Sequence, residues 1–164
     1  MRGRIVLFIL GLLVWMVLSW PPDAAHLWIG IIVASFVAFM VGDMFTSRPH
    51  LFTQLKRYLW FLYYVPMFLW ECLKANIDVA CRVVSPDLPI NPGIVKVKTS
   101  LKSDTGITFL ANSITLTPGT LSVDVDKEKG SLYVHWIDVR EKDIERATEI
   151  VVERFERILR RIFE

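Results

Sequence analysis

Cysteine is scarce: the chain has two, Cys72 and Cys81, nine positions apart on one expected helix. At 3.6 residues per turn they project to roughly opposite faces, so they neither bridge each other nor chelate one metal, and both read as packing residues. Charge of one sign is lacking too. A net charge of +2, with no long basic run and no aromatic platform, excludes nucleic acid as a partner. There is no P-loop, GxGxxG, HExxH or Cys-rich cluster. No Asp, Glu or His has beside it the nucleophile, second acid or ligand that catalysis or metal binding needs, and His135, in mid-strand, reads as a satisfied structural histidine. The sequence thus predicts no catalytic residue, metal or cofactor, and a chain that is not an enzyme.

Charge is also missing in long stretches. No Asp, Glu, Lys or Arg lies between Arg4 and Asp23, between Asp23 and Asp43, or between Arg57 and Glu71, whereas charge is dense from Glu71 onward. The first 70 residues or so therefore belong in or on lipid. Ile5 to Trp20 is an apolar run of about 16 residues, slightly short of the ~20 of a perpendicular span. It lacks a small-x-small cleavage site before Pro21, so it is expected to stay as a helix rather than to be removed as a leader.

Leu27 to Phe45 is a second apolar run of about 19 residues. Its Gly30, Ala34 and Ala38 recur at i, i+4 and i+8, a stripe of small residues that lets helices approach closely, against Gly11 of the first helix or against a neighbouring protein chain. Arg2, Arg4, Arg48, Lys56 and Arg57 flank the pair, while the intervening loop has no Lys or Arg. This predicts a transmembrane helical hairpin over residues 1–57 with both ends cytoplasmic. Asp43, near a helix end, reads as interfacial rather than as a proton relay.

Tyr58 to Trp70 is apolar for only about 13 residues and carries Pro66. Beyond it Glu71, Lys74, Asp78 and Arg82 form one stripe of successive ion pairs, with Leu73, Ile77, Ala80 and Val84 on the opposite face. Residues 58–85 thus read as an amphipathic membrane-associated helix, its Tyr58, Trp60, Tyr63, Tyr64 and Trp70 suiting the headgroup zone. A full crossing would put everything after it outside the cell. A helix lying along one leaflet keeps the C-terminal domain cytoplasmic, and that is the expectation.

Residues 86–164 read as a soluble βαββα domain. Pro86, Pro89 and Pro92-Gly93 form a stiff linker, and Ile94 to Thr99 alternates as a half-buried strand. Asp104 or Thr105 can cap the helix that follows, which Pro118 ends near Leu116 before the Gly119 turn. Leu121 to Asp126 and Leu132 to Ile137 pair as a hairpin, with Ser122, Asp124 and Asp126 expected on one face. That face is a solvated surface or, alternatively, a cation-attracting patch. In the last helix Ile144, Ala147, Val151, Phe155, Ile158 and Ile162 form an apolar face. The order suggests a ferredoxin-like split βαβ unit without its last strand. The fold class expected is therefore membrane α plus a small α+β domain.

Ala111-Asn112-Ser113-Ile114-Thr115, the turn Pro118-Gly119 and the strand Thr120 to Val125 closely resemble the E-type subunit of the multisubunit Na+/H+ antiporters of Mrp or Mnh type. Asn91-Pro92-Gly93, Val134-His135-Trp136-Ile137 and the preceding hydrophobic layout share the resemblance. Read locally, Asn112, Thr115, Pro118 and Gly119 make a helix-ending corner whose polar groups bond nearby backbone, and direct ligand contact is the other reading. The resemblance implies an accessory subunit of a monovalent cation (Na+)/proton antiporter in a prokaryotic cell membrane. Its partners would be F- and G-type subunits and complex I-like antiporter subunits that carry the ion pathways. It equally admits the homologous subunit of a membrane-bound hydrogenase or related respiratory complex. A stand-alone membrane-tethered binding module remains the alternative from a different class.

Overall fold

A computed structural model describes residues 2–45 and 54–164, without the side chains of Arg2, Asp43, Met44 and Phe45. Arg48 and the side chains of Arg2 and Asp43, used above for orientation and for the interfacial reading, lie outside the described residues. The chain divides into two compact units, Met1–Leu55 and Lys56–Glu164.

The first unit is a pair of helices, α1 (Arg2–Leu18) and α2 (Ala24–Phe45). The 22 residues of α2 rise about 33 Å, and its stretch Ala24–Gly42 is long and apolar enough to cross a ~30 Å hydrocarbon core. Helix α1, with 17 residues, is apolar but shorter. Asp23 starts α2 by accepting the His26 backbone N–H at 2.8 Å, and Trp15 Nε1 donates to the His26 carbonyl at 2.9 Å.

The second unit runs α3 (Leu55–Val84), β1 (Gly93–Lys98), α4 (Asp104–Leu116), β2 (Thr120–Asp126), β3 (Ser131–Trp136), α5 (Ile144–Thr148), a π-helical turn (Glu149–Glu153) and α6 (Arg154–Phe163). The three strands form an antiparallel sheet in the order β1-β3-β2. One face buries Val95, Val97, Leu132, Val134 and Trp136 beneath the helices. The other leaves Ile94 and Leu121 exposed, in register with His135 between them. His135 is half-buried on that open face, and its ring has no hydrogen-bond partner among the described residues.

Three local details differ from the sequence reading. Helix α4 is capped by Ser103, whose Oγ accepts the Gly106 N–H at 3.2 Å, rather than by Asp104 or Thr105. The register of β2 shifts between Ser122 and Asp124, because a bulge at Val123 inserts one residue. Ser122 therefore faces inward opposite Val134 and donates to the Ala111 carbonyl at 3.0 Å, whereas Asp124 lies opposite Tyr133 on the open face. In the C-terminal helix, Ala147, Val151 and Phe155 step by four twice, which would drift about 80° around a regular α-helix. The π turn absorbs that drift and keeps all three buried.

Helix α3 packs as a third layer on α4 and α6. Tyr64 belongs to the core cluster at 5 % exposure, with Trp60, Met67 and Phe68 packed against it. Phe68 meets Phe155 at 6.2 Å between centroids, and Phe61 meets Phe109 edge-on at 6.3 Å. Tyr64 was expected in a headgroup zone. It is instead in the protein interior, because it lies on the same helical face as Glu71, Asp78 and Arg82, and that whole face turns toward the domain.

Candidate functional site

The segments that carry the resemblance converge on one corner of the second unit. Ile137, at the end of β3, donates its N–H to the Gly119 carbonyl at 2.8 Å and accepts the Asn91 N–H at 3.1 Å. Asn91 also pairs with Val139, accepting its N–H at 2.8 Å and donating Nδ2 to its carbonyl at 3.1 Å. Gly119 has φ +90°, open to glycine at little cost, and a Cβ there would sit 2.9 Å from Ile137 Cγ2 and 3.5 Å from Val79 Cγ2 of α3. The linker, the α4–β2 turn, the end of β3 and α3 therefore meet where only glycine fits.

The hydroxyls around this turn are occupied locally. Ser113 Oγ donates to the Phe109 carbonyl at 2.5 Å, Thr117 Oγ1 to the Ser113 carbonyl at 2.7 Å, and Thr120 Oγ1 to the Ile114 carbonyl at 2.6 Å. Thr115 Oγ1 accepts the Ser122 N–H at 3.1 Å, and Asp124 Oδ1 accepts the Val125 N–H at 2.8 Å. These last two occupy donors on β2, an edge strand that would otherwise offer them to another chain. Pro118 is half-buried in the turn. Asn112 is exposed, and its amide has no partner among the described residues.

A polar seam joins α3 to α4 and α6. The Tyr64 hydroxyl bonds the Ser113 hydroxyl, and burial pushes the Tyr64 phenol above its ordinary pKa. Glu71 is shared by Lys74 at 2.6 Å and Arg154 at 2.9 Å. Cys72 Sγ lies 3.7 Å from the Leu116 carbonyl, its thiol pKa raised by burial. At the far end Arg82 binds Asp78 at 2.8 Å, Asp138 at 3.0 Å and the Pro89 carbonyl at 2.5 Å, while Arg140 reaches Asp78 and Asp138 at 3.3 Å each. The hydrogen bond from Arg82 holds the Asp78 carboxyl below its ordinary range. Within the ionic stripe read from the sequence, Glu71, Asp78 and Arg82 are docking residues with partners on or beyond α3, whereas among the described residues Lys74 pairs only with Glu71 and the expected Lys74–Asp78 pair is not formed.

In the first unit, Ala34 and Ala38 are buried on α2. A Cβ on Gly30 would fall 2.5 Å from Trp15 Cδ1, and one on Gly11 would lie 3.7 Å from the Ala34 Cβ. The small-residue stripe accordingly faces α1 within this chain. Among the described residues, no three His, Cys, Asp or Glu side chains could hold a metal ion.

The family model of Na+/H+ ion antiporter subunits matches residues 8–162. The chain belongs to the family of E-type Na+/H+ antiporter subunits. The E-type subunits of Bacillus subtilis (strain 168) and Alkalihalophilus pseudofirmus are each 35% identical to it. The first alignment covers 99% of both chains, and the second covers 87% of this chain and 88% of its relative. A chain in the structure of the membrane-bound sulfane sulfur reductase, an archaeal respiratory membrane complex, is 42% identical and superposes with a TM-score of 0.89. That superposition covers 99% of this chain and all of the other.

Within this E-type subunit, sequence reasoning found the corner but missed the seam. The signal was available, since the stripe Glu71, Asp78 and Arg82 extends back by threes and fours through Met67 and Tyr64 to Trp60. Reading those aromatics as interfacial hid their phase. Arg154 gave no such sign, because its partner Glu71 is 83 positions away.

Proposed function

We propose that this chain is the E-type accessory subunit of a monovalent cation (Na+)/proton antiporter, organising partner subunits that carry the ion pathways. The observation that carries this reading is the 35% identity to the Bacillus subtilis protein over 99% of both chains. The residues agree with it. The hairpin sequence between Asp23 and Asp43 has no acid, lysine or arginine with which to relay ions, and the hydroxyls of the corner and the carboxylates of the seam are bonded within the second unit. Its expected neighbours are the F- and G-type and complex I-like subunits. In mild detergent the chain should co-purify with such subunits, and its deletion should abolish Na+/H+ exchange in everted vesicles; an intact, active complex without it would overturn the role. The 42% identity to a chain of a respiratory complex favours a second host for the same role. Co-purification of redox subunits would assign the chain there.

The sheet order β1-β3-β2, with β1 and β2 both antiparallel to β3, supports reading the domain as a ferredoxin-like split βαβ unit lacking its last strand. The cytoplasmic placement of that domain has its own support. From Trp60, under the Arg161 guanidinium at 4.2 Å, to Arg82, α3 is packed along its length against charged elements. Crossing the bilayer would carry those charges into hydrocarbon.

A further inference from the structure

The helix α3 has a second face that nothing in the chain covers. Leu59, Leu62, Pro66, Leu69, Leu73 and Ile77 recur at threes and fours and fall within about 40° of one line, opposite Tyr64. All six are exposed, and Leu55 and Val84 continue the line at either end. The ridge spans the helix, 30 residues or about 45 Å, and no charged residue interrupts it. Tyr63, Trp70, Lys56 and Lys74 follow one of its flanks. Beside its N-terminal half stands α6, whose Arg157, Arg160 and Arg161 are all exposed, the last stacked over Trp60.

We infer that this ridge and the α6 arginines form a lipid-binding surface that seats on the anionic leaflet of the membrane anchoring the hairpin. The inference rests on the reading of the hairpin as that anchor. Three observations choose lipid as the occupant. Only nine residues separate Phe45 from Leu55, so ten Cα–Cα steps, at most about 36 Å of extended chain, tether α3 to the anchoring hairpin. The ridge is built of leucines, unlike the Gly30, Ala34 and Ala38 stripe with which this chain packs helix on helix in lipid. Its flank of aromatics and lysines, with the Arg161 guanidinium alongside over Trp60, matches the headgroup layer of an anionic surface in chemistry and in sign. The helix then has two fixed faces, one bonded to the domain and one in the leaflet, which hold the domain against the membrane.

Spin labels in the full-length chain test this, with Cys72 and Cys81 replaced by serine and single cysteines placed at Leu62, Leu69, Leu73, Lys74 and, in the β2–β3 turn, Glu128. In phosphatidylcholine vesicles containing phosphatidylglycerol, labels at the three leucine positions should collide mainly with oxygen. Labels at Lys74→Cys and Glu128→Cys should collide mainly with a water-soluble nickel chelate. Omitting phosphatidylglycerol, or changing Arg157, Arg160 and Arg161 to Gln, should shift the ridge labels toward the nickel chelate, the seating equilibrium weakening by about fivefold per arginine and by roughly a hundredfold for all three. Water-exposed ridge labels in anionic vesicles, or accessibility indifferent to both changes, would overturn the inference. So would ridge labels shielded from both reagents in the purified complex, because a partner chain would then cover the ridge, and the accessory role would stand. A label at Phe36→Cys reading as aqueous would instead remove the anchor on which both readings rest.

Discussion

The hydroxyls of Tyr64 and Ser113 stand 49 positions apart in the chain and bond to each other in the core. Ser113 has a second partner in the Phe109 carbonyl, while Tyr64 has only Ser113. Removing either side is therefore unequal. Ser113→Val leaves a buried phenol unsatisfied and should cost about 1–3 kcal/mol. Tyr64→Phe leaves Ser113 bonded to the helix and should cost about 0.5–1.5 kcal/mol. Thermal unfolding of the detergent-solubilised variants measures the difference, and equal losses would mean that the hydroxyl pair does not bind α3 to α4. At this scale the corner was legible in the sequence, because Pro118 and Gly119 announce their backbone geometry locally. The seam was not, since each of its bonds joins residues that only folding brings together.

Among the elements, α3 shows best how a correct pattern can be given the wrong neighbour. Its ionic stripe was readable from spacing. What could not be read was that Asp78 would also meet Arg140, 62 positions away. The Asp78 carboxyl is held below its ordinary value near 3.8 by the Arg82 hydrogen bond first and the nearby guanidinium charges after it. A carboxylate whose folded pKa is depressed contributes stability above its unfolded pKa and loses it as pH falls through the folded one. The docking of α3 should therefore weaken on acidification below about pH 4. An Asp78→Asn chain should be less stable at neutral pH and change less across that window. Acid unfolding followed by Trp fluorescence checks this, and identical acid limbs would remove Asp78 from the account. The bulge in β2 and the π turn belong to the same scale. The bulge parts Ser122 from Asp124, and the π turn adds one residue where strict helical phase would have turned a buried side chain outward.

For the whole molecule, the proposed side of the membrane for the second unit follows from how α3 is used. A helix bonded to a charged domain from Trp60 to Arg82 is a poor candidate for hydrocarbon, which favours the cytoplasmic side for both the N-terminus and the second unit. With Cys72 and Cys81 replaced by serine, a cysteine at Glu164 should react with an impermeant maleimide in inside-out vesicles and not in right-side-out ones. Labelling confined to the external side would reverse the topology.

Apolar runs, the loop without Lys or Arg, turn residues and strand alternation determined by themselves that this chain has an apolar helical hairpin, an amphipathic helix and a small βαββα domain with the corner motif of the E-type family. Those features are written in nearest neighbours and in periods of two and 3.6. Only the tertiary structure decided which face of α3 meets the domain, which strand carries the bulge, and that Asn91, Gly119 and Ile137 close a single corner. The energy of those contacts depends on residues tens of positions apart, which no local pattern contains.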